Sequence, residues 1–184
     1  MELYVVRHGE TEYNAQGRYC GILDIPLNKK GFVQAHDLAT RLSGKKIDIV
    51  ISSPMIRAKQ TAEIVCTVLN LRYIIHKQLA ERSVGVFEGL THDEAMNKYP
   101  NLWVRQPTKK LDDAPDGGET LRHGCNRIDN LMTQLRQLYE NNSILVICHA
   151  FVSQAIHRYC KHLTIDEMLN FSLNNCEFIK YTLS

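Results

Sequence analysis

No stretch of this chain comes near the ~18 to 20 consecutive apolar residues that span a bilayer. Its longest apolar runs, such as Ile144 to Cys148, have the length of a strand. Charge of one sign is scarce too. The 22 basic and 20 acidic residues leave a formal +2, without the broad positive surface that sequence-independent nucleic-acid binding needs. Six cysteines (Cys20, Cys66, Cys125, Cys148, Cys160 and Cys176) form no CxxC pair, and there is no HExxH. These absences argue against a zinc site and against a disulfide framework. Reduced thiols, mostly filling core space, are expected instead. Repeats and low-complexity segments are missing as well. The strand-like pattern begins at Leu3, which leaves no room for a charged leader followed by an apolar signal segment. A cytoplasmic protein is expected, monomeric or homodimeric, with neither membrane nor nucleic acid as partner.

What is present suits one domain over residues 1–184, since 44% hydrophobic content at this length supports a substantial core. Short β-branched runs alternate with longer helical patterns, which predicts an α/β fold: a three-layer α/β/α sandwich on a mostly parallel sheet. The predicted strands are Leu3 to Val6, Ile47 to Ile51, Arg72 to Ile75 and Ile144 to Cys148, with Glu177 to Thr182 at an edge. Asn28 to Leu42 reads as a helix closed by Gly44, and Ser53-Pro54 as the cap and first-turn proline of another reaching Leu69. Leu121, Cys125, Ile128, Met132, Leu135 and Tyr139 recur at steps of four and three, the stripe of an amphipathic helix. Around residues 85–118 the pattern changes. Thr91 to Glu94 has capping-box spacing, Pro100 is expected to end that short helix, and a polar stretch follows to Pro115, which predicts a small helical cap.

In open α/β sheets ligands bind beyond the carboxyl ends of the strands. The residues there are Arg7 and His8 after the first predicted strand, Ser52, Ser53 and Arg57 after the second, and His149 after Cys148. Two arginines and two imidazoles in one crevice suit a dianion. Guanidinium groups pair bidentately with phosphate oxygens, and helix N-termini after Ser53 and His149 would add N–H groups. The arginine charge favours a neutral His8 with a free lone pair, so His8 could accept a phosphoryl group. The same charge repels a divalent ion, so neither metal nor cofactor is expected.

A departing alkoxide needs a proton, and Glu81, just after the third strand, is placed to supply it. Glu88 is a weaker choice. Each residue alone also has a structural reading: His149 as a hydrogen-bonded core histidine, Arg57 as a solvated helix residue, Glu81-Arg82 as a surface ion pair. Their shared placement after separate strands outweighs these. His36, His76, His92, His157 and His162 lack such placement. Cys66 and Arg72 have the C-x₅-R spacing of a cysteine phosphatase, but the intervening residues continue a helix and cannot present successive N–H groups to a phosphate.

The set Arg7-His8-Gly9-Glu10-Thr11 with Asn14, Asp24-Ile-Pro-Leu27, Ser52-Ser53-Pro54 through Arg57 and Gln60-Thr61-Ala62, Glu81-Arg82 with Gly85 and Glu88-Gly89, Gly117-Gly118-Glu119, and His149 resembles the histidine phosphatase superfamily, the phosphoglycerate mutase-like proteins. The resemblance covers nearly the whole chain. It implies a phosphohistidine on His8, phosphoryl oxygens held by Arg7, Arg57 and His149 with Asn14 and Ala150 alongside, and Glu81 as proton donor and then activator of water, without metal. It leaves a phosphomonoesterase of a small phosphorylated metabolite, a cofactor-dependent mutase and a non-catalytic phosphate-binding module. Mutases of this kind carry a longer insertion before the Gly-Gly-Glu stretch and usually Gln-Gly in place of Glu88-Gly89, which favours the phosphatase. Two departures bear on substrate choice. Cys20 stands where glutamine is common, and Ala150-Phe151 replace small glycines, so Phe151 is expected either to narrow the entrance or stack on a flat part of the substrate, or simply to pack in the core.

Overall fold

In the computed structural model, which describes residues 1–183, the apolar runs become five strands. These are β1 (Glu2–Arg7), β2 (Ile49–Ser52), β3 (Tyr73–Ile75), β4 (Ser143–Cys148) and β5 (Phe178–Thr182). They lie in the order β3-β2-β4-β1-β5 and pair in parallel, except that β5 runs antiparallel to β1 at the edge. Every residue of central β4 is buried, as a parallel strand covered on both faces must be.

Helices supply that cover. After the single turn α1 (Glu12–Ala15), α2 (Lys29–Leu42) and α3 (Ile56–Leu69) pack on one face, where Tyr4, Val6, Val50, Leu145 and Ile147 point. α4 (His92–Lys98) and α5 (Pro100–Arg105) stand apart. α6 (Leu121–Leu138) and α7 (Ala150–Lys161), with the short α8 (Ile165–Leu169), take the other face, against Leu3, Val5, Ile51, Ile144, Val146 and Cys148. Alternate residues of each strand thus feed opposite layers, which makes the three-layer α/β/α sandwich. The expected α6 stripe is buried from Leu121 to Leu135. α4 and α5 form a separate cluster in which Val84, Phe87, Ala95 and Leu102 are buried beside Tyr19, Tyr99 and Trp103.

One local expectation needs correction and a second needs an addition. α3 starts at Ile56 with Met55 as its N-cap and no side-chain cap on that residue, so Pro54 lies before the helix. Its leading amides are met otherwise: Asp24 Oδ1 accepts from Ile56 N–H at 2.6 Å and Ser53 Oγ from Met55 N–H at 3.3 Å. Pro100 follows α4 but begins α5, at a first-turn position that needs no amide hydrogen.

β4, the last parallel strand in the chain, inserts between β1 and β2, so their three carboxyl ends stand side by side. His8 N–H reaches Cys148 O and Ser53 N–H reaches Ile147 O, each at 3.0 Å. The turn after β1 also runs hard against α2. A Cβ on Gly9 would lie 2.6 Å from Gly31 O, and one on Gly31 only 2.1 Å from Glu10 O. The Arg-His-Gly sequence ends in glycine because backbone occupies the space a side chain would need.

Candidate active site

His8 leaves β1 buried, 4% exposed, with its ring on the wall of a cavity of about 380 Å³. Its Nδ1 lies 2.7 Å from Gly9 O. A carbonyl can only accept, so the proton sits on Nδ1 and Nε2 keeps its lone pair. Burial first, then the charges of Arg57 and Arg7, hold this imidazole well below its ordinary 6.5. The ring is therefore neutral.

Arg7, Arg18, Arg57 and Arg82 line the same cavity, whereas Glu81 is its one carboxylate among the described residues. Arg57 is 1% exposed and braced on three sides, donating to Leu23 O (2.7 Å), Gly21 O (2.9 Å) and His149 Nδ1 (3.3 Å). Arg7 donates through a terminal nitrogen to Leu173 O at 2.9 Å, and its Nε is buried without a partner. Arg82 bridges Glu119 O (3.2 Å) and Thr108 O (3.0 Å), and its Nε is likewise unpartnered. Both guanidinium groups line the cavity, and each has terminal nitrogens of the kind that pair with an oxyanion.

His149 is packed differently from the expectation. It adjoins His8, with ring centroids 5.0 Å apart, yet it is fully buried and does not line the cavity. Its Nδ1 accepts from Arg57 and its Nε2 donates to Ser53 Oγ at 2.6 Å. Both nitrogens are engaged, and burial with Arg57 holds the ring neutral. Asn14 and Ala150 do line the cavity. Asn14 Oδ1 accepts from Thr11, which leaves the amide nitrogen as the group it can offer.

Glu81 lines the cavity from outside any helix or strand, and its carboxylate caps the first turn of α7. Oε2 accepts from Phe151 N–H at 3.3 Å and Oε1 from Arg82 N–H at 2.8 Å. That α7 amide, expected to face a phosphate, is thus already taken. Arg127, paired with Glu119 at 2.8 Å, donates to Ala80 O at 2.9 Å and so secures the residue before Glu81. Glu88, the weaker choice for the acid, is a loop tie: Oε1 accepts from Ser83 Oγ (3.0 Å), Val84 N–H (3.1 Å) and Ile22 N–H (3.2 Å). It does not line the cavity.

This geometry is a family's. The profile described as histidine phosphatase superfamily (branch 1) matches residues 3–184. The chain belongs to the histidine phosphatase superfamily. A phosphoserine phosphatase 1 of Hydrogenobacter thermophilus is 33% identical to it over 97% of this chain and 84% of that protein. A phosphoglycerate mutase-like protein 4 of Arabidopsis thaliana is also 33% identical, over 94% and 77%. The alpha-ribazole phosphatase of Shigella flexneri superposes with a TM-score of 0.92 at 25% identity, covering 100% of this chain and 91% of that one.

Within this member of the superfamily, several wall residues were given no role from sequence. Arg82, 7% exposed, is a cavity residue and no surface ion pair. Its adjacency to Glu81 was the available signal. His92, set aside with the other histidines, lines the cavity from the first turn of α4. Phe151 packs in the core, its ring lying where a side chain on Gly124 would, at 2.6 Å, and it also lines the cavity, with the Arg82 guanidinium 5.2 Å from its ring centroid. Cys20 also lines the cavity, and all six thiols are free. No helix among the described residues is long and apolar enough to cross a membrane.

Proposed function

We propose that this enzyme is a metal-independent phosphomonoesterase of a small cytoplasmic metabolite, a single domain in which the residue 85–118 cap covers one site. The observation that carries this reading is His8 itself: a neutral imidazole whose Nδ1 proton is fixed on Gly9 O and whose other nitrogen faces a cavity rich in arginine.

The chemistry follows from the charges. Arg7, Arg57 and Arg82 draw in the phosphoryl oxygens, with the Asn14 amide beside them. The Nε2 lone pair attacks phosphorus, the P–O ester bond breaks, and its electrons go to the departing oxygen, which takes a proton from Glu81. Glu81, now a carboxylate, removes a proton from water. The resulting hydroxide attacks phosphorus, the P–N bond breaks, its electrons return to Nε2, and phosphate leaves. His149 aligns the Arg57 guanidinium through Nδ1. The Phe151 and Arg82 amides hold the Glu81 carboxylate in position.

Both phosphatases and mutase-like proteins are among the relatives. The short span between Glu81 and Gly117, and Glu88 committed to holding loops, favour water as the acceptor. The test is phosphate release from an aryl phosphate with EDTA present, for wild type, His8→Ala and Glu81→Gln. We expect no turnover with His8→Ala in a protein that remains folded. Glu81→Gln should slow alkyl esters more than activated aryl esters, because only the former need a proton on departure. Release by His8→Ala overturns the nucleophile. Phosphate moved to a second hydroxyl, with none released, makes the enzyme a mutase.

A further inference from the structure

The cap contains a cavity that phosphate chemistry does not use. It measures about 160 Å³ and shares Tyr19, His92 and Thr108 with the catalytic cavity. Its remaining wall includes Phe87, Trp103 and Pro107. Four rings of that wall pack on one another: Tyr19 to Phe87 at 5.7 Å, Phe87 to Trp103 at 6.0 Å, Trp103 to His92 at 5.7 Å and His92 back to Tyr19 at 4.9 Å between centroids. Among the described residues no carboxylate lines it.

We infer that this slot binds a planar aromatic or heteroaromatic ring carried by the alcohol part of the substrate. The inference rests on the phosphomonoesterase reading and narrows its substrate class. Volume sets the scale, since an apolar cavity of roughly 150 Å³ is enough to hold benzene. Shape sets the preference. Ring faces and edges make the walls, and aromatic pairs gain from offset or edge-to-face contact beyond the area they bury. Continuity sets the position. A phosphoryl group at His8 and a ring against Tyr19, His92 and Trp103 would occupy two adjacent cavities that share three wall residues, with Glu81 on the wall of the catalytic one to protonate the linking oxygen. The polar side chains at its wall, Gln106, Thr108 and Lys109, can read heteroatoms at the ring edge.

Trp103 is the chain's single tryptophan, so its emission reports on the slot independently of turnover. The experiment compares phenylalkyl phosphates of increasing spacer length with the matching cyclohexylalkyl phosphates, which are equally apolar but not planar. Hydrolysis is followed by phosphate release, and binding by Trp103 emission in His8→Ala. We expect a roughly three- to tenfold preference in kcat/KM for the phenyl ester at the best spacer length, with a matching change in emission. Tyr19→Leu should reduce the phenyl-to-cyclohexyl ratio toward one, a ratio that global damage to the protein would not move. Equal rates for the two esters, or emission unmoved by the phenyl ester, overturn the slot while leaving the phosphatase reading intact. Emission that responds where neither ester is hydrolysed supports the slot and sinks the phosphatase reading.

Discussion

Replacing Arg57 by methionine removes three donations at once, two of them buried, to Gly21 O and His149 Nδ1, and one part-buried, to Leu23 O. An unpaired buried acceptor costs about 1–3 kcal/mol, so the two buried ones cost about 2 kcal/mol even at the low end. For a chain of this length that lowers Tm by about 4 to 8 °C. The lost charge has a second effect. After burial, Arg57 is the largest influence holding His8 and His149 below 6.5. Without it both imidazoles become more basic. Because the nucleophile must be neutral, activity is lost as pH falls through the His8 pKa, and the acid limb of the kcat/KM profile moves upward toward neutrality. Arg57→Lys separates the two effects. An ammonium keeps the charge and so the limb, but it cannot reproduce the fork and still lowers Tm. Thermal melts at neutral pH and pH profiles on an aryl phosphate read both. A methionine variant melting within about 3 °C of wild type, or lysine and methionine variants that move the limb alike, would refute this account.

Stability should also fall on mild acidification. His8 and His149 are held neutral in the fold while ordinary imidazoles take a proton near 6.5, so below that pH the unfolded chain binds more protons than the folded one. Their contribution is complete above 6.5 and is lost as pH drops from there toward their folded values, by up to ~1.4 kcal/mol per pH unit each. His76 and His157, lowered by burial, add in the same direction. Urea midpoints equal at pH 7.5 and pH 5 would contradict this. At the close contact behind the nucleophile, Gly31→Ala puts a Cβ 2.1 Å from Glu10 O and should cost about 1–3 kcal/mol or more while reducing turnover, since the turn carrying His8 must move. Gly44→Ala, with nothing within 4 Å, meets only the strain of its positive φ and should leave turnover alone; equal turnover in the two variants counts against the close contact.

Much of this was legible in the residues. Parallel strands have one end in common, so reading the residue after each apolar run found Arg7, His8, Ser53 and His149. The α6 stripe was equally plain because a helix repeats its own period. Glycine after His8 was visible, though its reason, Gly31 backbone at 2.6 Å, was not.

What the sequence by itself determined is the type of fold and the chemical set at the strand ends: periodicity, strand order in the chain and residue type are local properties. Only the tertiary structure decided how those groups are wired. It gave both His149 nitrogens to Arg57 and Ser53, the α7 amide to Glu81, the α3 amide to Asp24 and the Glu88 carboxylate to three loop donors. It also carried Tyr19, Phe87, His92 and Trp103 into one circuit of rings. A hydrogen bond or ring contact depends on where two distant segments are brought, and in most of these pairs the partners lie more than thirty residues apart. Nothing in the spacing of either partner records the other.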